Sequence, residues 1–162
     1  MAVRNIRKES DAVLRKISKA VDKIDKRTLI LLDDMLETMN KYDGVGLAAP
    51  QVGILKRVIV LDDGSGPLKL INPVILEQSG KQNNAEGCLS VPTVFAEVER
   101  PNKVKVEAMD VSGKKIVFEK EGLAAIILSH EIDHLDGILF IDKAVRIIPE
   151  DELENQRRKK SK

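Results

Sequence analysis

A chain of 162 residues, 43% hydrophobic and 33% charged, carries enough apolar material for one globular core and too much to stay disordered. Its 27 basic and 26 acidic side chains leave a net charge of +1, so no whole-molecule field draws it to nucleic acid or to an anionic membrane. The one cysteine, Cys88, excludes an intramolecular disulfide and suits a reducing cytoplasm.

Residues 1–10 are polar, with Arg4, Arg7 and Lys8, and no apolar segment follows them, so the parts of a secretory signal are missing. The longest wholly apolar run, residues 123–128, is too short to span a bilayer. The expectation is a soluble cytoplasmic protein without membrane contact, folded as a single domain over 1–162.

In residues 25–41, Leu29, Leu32, Leu36 and Met39 recur at three- and four-residue steps, which predicts an amphipathic helix ended by Asp43-Gly44. Residues 44–53, GVGLAAPQVG, have small residues and a proline but no period, and predict a loop whose backbone runs close to something. Short strands are predicted at 57–61, 68–71 and 74–76. Val104, Val106 and Ala108 alternate with Lys103, Lys105 and Glu107 before a turn at Ser112-Gly113, which predicts a hairpin continuing through 116–118. A second, buried helix is expected over 122–136, stopped by Gly137. Beyond Pro149, residues 150–162 run from acidic to basic and predict a terminal helix with a frayed basic tail.

The chain's only two histidines, His130 and His134, stand four residues apart with Glu131 between them, an HExxH pattern on the second helix. A four-residue step returns to the same helical face, so both imidazoles can reach one ion, while Glu131 is turned about 100° away and flanks it. A lone cysteine is commonly a small buried hydrophobe, but beside an HExxH motif Cys88 is the natural third ligand. Two imidazoles and one thiolate leave a coordination position open, as catalytic sites do and structural zinc sites do not. Such donors accommodate zinc, iron, cobalt or nickel.

Three segments, Gly44-Val45-Gly46-Leu47-Ala48-Ala49-Pro50-Gln51, Glu86-Gly87-Cys88-Leu89-Ser90 and His130-Glu131-Ile132-Asp133-His134, together resemble the GxGxAAxQ, EGCLS and HExDH motifs of peptide deformylases, in the same order. One departure is Ser129, where many members carry glutamine. The resemblance implies an α+β fold with antiparallel β-sheets wrapped around a central helix bearing the HExxH motif. It implies removal of the formyl group from N-terminal formylmethionine of new polypeptides, with release of formate. The implied cofactor is one divalent metal ion, Fe(II) in the cell, replaceable by Ni, Co or Zn, held by Cys88, His130 and His134.

By the same resemblance Glu131 carries the proton, and the Gln51 side-chain amide and Leu89 N–H stabilise the oxyanion. Gly44, Val45, Gly46 and Gly87 belong to the substrate cleft. Leu123, Ile126 and Ile127 share the histidines' side of the helix and either line a methionine pocket or belong to the core; Gly44 serves either as a helix cap or as a close-approach position. Asp133 and Arg100 form either a pair that steadies the ligand helix or a solvated surface pair. Partners are formylated nascent chains and, through Arg157, Arg158, Lys159, Lys160 and Lys162, a weak contact with the ribosome. A zinc metalloprotease or a noncatalytic RNA-binding module would be the alternatives.

Overall fold

The computed structural model describes residues 2–160. A five-stranded antiparallel sheet is built from β1 (Gly46–Ala48), β2 (Val58–Leu61), β3 (Leu68–Ser79), β6 (Lys103–Met109) and β7 (Lys115–Glu121), in the order β1-β2-β3-β6-β7. A second sheet joins β4 (Gln82–Cys88), β5 (Val91–Arg100) and β8 (Ala144–Ile147). The helices are α1 (Lys26–Lys41), α2 (Leu123–Leu135) and α3 (Glu150–Lys160).

The centre of the larger sheet is covered on both faces, which explains why all four residues of β2 are apolar and buried. Val58 and Val60 join the cluster made by Leu31, Leu32, Met35 and Met39 of α1. Ile59 and Leu61 join the opposite cluster with Ala125, Leu128, Ile132 and Leu135 of α2. Helix α1 is therefore amphipathic, whereas eleven of the thirteen residues of α2 are buried. Truncating Leu128 at such a site costs ~2–5 kcal/mol. The smaller sheet contributes a third cluster, Val91, Ala96 and Val98 with Leu14, Leu139 and Phe140. The fold is thus α+β with the motif-bearing helix at its centre.

The two helices begin and end as the sequence predicts, with one exchange of roles. Asp25 caps α1 through a bond from Thr28 N–H, 2.9 Å. At the other end Asp43, not Gly44, adopts the left-handed conformation (φ +55°), and Gly44 N–H reaches back to the Met39 carbonyl, 2.9 Å. Helix α2 is followed by Gly137 at φ +73°, where a β-carbon would stand 2.6 Å from the Arg15 carbonyl.

Three predicted elements differ. The 44–53 segment is not all loop: it forms β1 and then a 3-10 turn, Ala49–Val52. The strands expected at 68–71 and 74–76 are one, β3, because Asn72 at φ +52° bends the chain without ending the pairing. Both polar ends of the Asn72 side chain bond the Val21 backbone, which stabilises that bend. β4, β5 and β8 carry weak periodicity and were not anticipated as strands; Cys88 closes β4. Helix α3 forms as expected and is tied to β8 by Arg146, whose guanidinium bonds both Glu152 oxygens. Of the basic tail, Lys162 lies outside the described residues. Among the described residues no helix is long and apolar enough to cross a membrane.

Candidate metal centre

Helix α2 presents His130 and His134 from consecutive turns, and the end of β4 presents Cys88 across from them. One donor atom from each lies within 4.8 Å of the other two. Cys88 Sγ is 3.4 Å from His134 Nε2. His130 Nδ1 stands 2.9 Å from Glu86 Oε1, so a proton on Nδ1 directed at that carboxylate leaves Nε2 as the free donor. The rings of His130 and Phe140 stack at 5.9 Å.

Glu86 lies two residues from Cys88 on β4 and is itself held. The Arg100 guanidinium donates two bonds to its carboxylate, 2.8 and 2.9 Å, and a third to Asp133 Oδ2, 2.7 Å. Arg100 is 3% exposed and Glu86 6%, so the pair is interior. Burial by itself raises the Glu86 carboxyl, but Arg100 and His130 outweigh it and hold Glu86 below the usual range. Of the two readings of Asp133 and Arg100, the buried pair is the one that forms. Glu86 was missed as a functional residue, although it stands in the EGCLS segment.

Glu131 is buried, and its Oε1, 4.0 Å from His134 Nε2, has no hydrogen-bond partner among the described residues. Desolvation, reinforced by the charges of Glu86 and Asp133, pushes its carboxyl up to about 7 against the pull of His130 and Arg100. His130 is pushed up to about 10: burial opposes this, but Glu131, Cys88 and Glu86 together draw a proton to the ring. His134 goes the other way, lowered by burial and by the neighbouring His130. The cluster is a desolvated pocket in which nitrogen, sulfur and carboxylate donors converge. The donor set also matches the ligand types of catalytic transition-metal sites, so these residues fit a divalent ion.

Cys88 and His130, with Glu131, open onto a cleft of about 600 Å³. Every residue assigned to the substrate side by sequence lines it: Gly44, Val45, Gly46, Gly87, Leu123, Ile126 and Ile127, together with Gln51 and Leu89. Leu123 is exposed, whereas Ile126 and Ile127 are buried, and Ile127 lines the cleft and packs in the core at once. Gln51 is buried; its amide nitrogen lies 3.1 Å from Ser90 Oγ and 3.5 Å from Cys88 Sγ, and its oxygen accepts from Ala48 N–H, 2.9 Å. Ser90 is a second residue that sequence reasoning passed over. Ser129 turns its hydroxyl onto the Ala125 carbonyl of its own helix, 2.8 Å, and takes no part in the cleft.

The family model described as polypeptide deformylase matches residues 3–149. Peptide deformylase of Acetivibrio thermocellus is 59% identical over 160 residues, covering 99% of this chain and 94% of that one. Peptide deformylase 1 of Clostridium acetobutylicum is 60% identical over 143 residues, 88% of this chain and 95% of that one. Among solved structures, peptide deformylase from Thermotoga maritima superposes with a TM-score of 0.86 at 47% identity, covering 92% of this chain and all of the other. That of Synechococcus elongatus in complex with actinonin gives 0.84 at 41% identity, covering 97% and 85%. With a family match that spans both motif-bearing sheets and the HExxH helix, the chain belongs to the polypeptide deformylase family.

Proposed function

We propose that Cys88, His130 and His134 hold one divalent metal ion and that Glu131 carries the proton in the reaction of this chain. As a peptide deformylase it removes the N-terminal formyl group from nascent polypeptides, a metal-dependent hydrolysis. The observation that supports the residue assignment is the convergence of the three donors within 4.8 Å, with Cys88 and His130 lining the cleft. When bound, the ion supplies Lewis-acid activation of water near neutral pH.

The protein's own groups do the rest. Glu131, without a partner at Oε1 and held near neutrality, takes a proton from the attacking water and gives it to the departing amine nitrogen. A bond forms from the water oxygen to the formyl carbon and the carbon–nitrogen bond breaks, leaving formate and a free amino terminus. Charge on the formyl oxygen is met by the Leu89 N–H and the Gln51 amide, which exchanges its long 3.5 Å contact with Cys88 for this oxygen. Each such donor is worth about 3 kcal/mol of barrier. Val45, Ile126 and Ile127 receive the methionine side chain, and Gly44, Gly46 and Gly87 let the peptide backbone approach.

The resident ion in this reading is Fe(II), with Ni, Co or Zn able to substitute; the thiolate makes the ferrous centre sensitive to oxidation. The protein works in the cytoplasm as one catalytic domain over 1–162. The cations Arg157, Arg158 and Lys159, with Lys160 and Lys162 beyond them, give α3 a weak attraction for ribosomal RNA.

Formate release from formyl-Met-Ala-Ser by anaerobically prepared protein, with metal content measured alongside, tests the assignment. Glu131→Ala is expected to retain its ion and lose activity by about 10²–10⁴-fold. Full activity in Glu131→Ala, or activity that survives complete chelation, would overturn it.

A further inference from the structure

The two proposed oxyanion donors come from separate segments, Gln51 from the 3-10 turn after β1 and Leu89 from the tight connection between β4 and β5. A third segment bonds to both. Arg7 N–H donates to the Gln51 carbonyl, 2.7 Å, and Glu9 N–H to the Ser90 carbonyl, 2.9 Å. Between them Lys8 lies on the rim of the cleft with its ammonium 3.3 Å from the Leu89 carbonyl.

Neither carbonyl is used by the elements on either side. Gln51 lies in the second half of a one-turn 3-10 helix, whose last carbonyls need partners from elsewhere, and Ser90 precedes the first residue of β5. The Arg7 guanidinium also lies over Gly53, the left-handed residue that closes the same turn; a β-carbon there would stand 3.0 Å from Arg7 Nε. The other end of the arm is fixed. Ala2 N–H and the Arg4 guanidinium bond the buried Asp34 of α1, and Arg4 N–H bonds Thr38 Oγ1, 2.9 Å.

We infer that residues 7–9 clamp the two donor segments at a fixed separation, and that Lys8 is a positioning residue for the oxyanion site, acting through the Leu89 carbonyl. The inference rests on the reading of Gln51 and Leu89 as oxyanion donors. Its physical basis is the steep dependence of transition-state stabilisation on donor placement: a donor displaced by a fraction of an ångström still binds a neutral carbonyl but stabilises the charge less. A clamp of this kind therefore acts on kcat and leaves KM alone.

The test uses the full metal-loaded chain and formyl-Met-Ala-Ser. Lys8→Met keeps the aliphatic stem and removes the donor; Lys8→Arg restores a cationic donor of similar reach. Expected for Lys8→Met is a fall in kcat of about three- to tenfold, the worth of one hydrogen bond, with KM, metal content and Tm little changed. Amide exchange at residues 89–91 should quicken while α2 stays protected, and Lys8→Arg should return kcat to within about twofold of the parent. An unchanged kcat, a rise in KM alone, or failure of Lys8→Arg to rescue would overturn the inference. Gln51→Ala, run in parallel, separates the two levels: if it too leaves kcat intact, the oxyanion reading itself has failed; if it lowers kcat while Lys8→Met does not, only the clamp has.

Discussion

The α-carbon of Gly46 faces the carboxylate of Glu131 so closely that a β-carbon built on the glycine would stand 2.5 Å from Oε2 and 2.9 Å from Cδ. The glycine in the middle of the first motif is thus fixed in part by the acid of the third, 85 residues away. Gly46→Ala preserves the backbone N–H and C=O that a substrate could use, yet forces Glu131 aside. A misplacement near 1 Å of a group at the reacting centre costs on the order of 10²-fold in rate. The expected outcome is a kcat loss of that order with the metal retained, read from steady-state kinetics and metal analysis of the same sample. A variant that lost only affinity for the peptide would show that Gly46 serves the substrate alone.

Arg100 is nearly inaccessible and neutralises two carboxylates. Removing it leaves Glu86 buried and unpaired beside His130, so Arg100→Met should destabilise the fold by ~3–5 kcal/mol, as loss of one partner of an interior ion pair does. Denaturant unfolding at neutral pH measures this. The double change Arg100→Met with Glu86→Leu, which removes both charges, should recover part of the loss even though it sacrifices the orientation of His130.

Asp142 joins the N-terminal region to the turn after α2. Burial alone raises its carboxyl, but the Arg15 guanidinium and the Leu139 N–H bond it and hold it below its usual value. The unfolded chain therefore binds this proton at a higher pH than the folded chain. Its contribution is complete above the unfolded value and is lost as pH falls through the folded one. Asp142→Asn should flatten the acid limb of the Tm profile below about pH 5 while costing less than ~1 kcal/mol at neutral pH, because the pair is partly solvated. Superposable acid limbs in the two proteins would count against this.

How much of this was readable beforehand depends on whether the signal was local. The donors His130 and His134 share one helix, and helical spacing alone brings them together; Cys88 could be added only because it is the chain's one thiol. Helix α1 was legible from its apolar stripe, and β2 from its four β-branched and apolar residues. β4, with the sequence QNNAEGC, shows no alternation, since its pairing with β5 is dictated by the partner strand and not by a buried face of its own. Asn72 looked like a terminator because its left-handed bend is stabilised by Val21, 51 residues away. Glu86 and Ser90 act through Arg100, His130 and Gln51, and a role defined by tertiary neighbours has no trace in spacing. The contacts of Arg7, Lys8 and Glu9 are hidden for the same reason, most being made by or to backbone atoms.

Helix α2 is enclosed by one sheet, by part of the other and by its own apolar flanks, and this has a consequence for the order of events when a substrate arrives. An element so enclosed opens only with the whole domain, whereas the cleft's other walls, 43–46 and 92–95, are connecting or bulged backbone with fewer constraints. In the proposed reaction the histidines and Glu131 therefore stand ready before the encounter, and the peptide's binding energy is not needed to arrange them. On that reading, adjustment to different nascent chains falls on the rim, while proton transfer is placed on the enclosed helix.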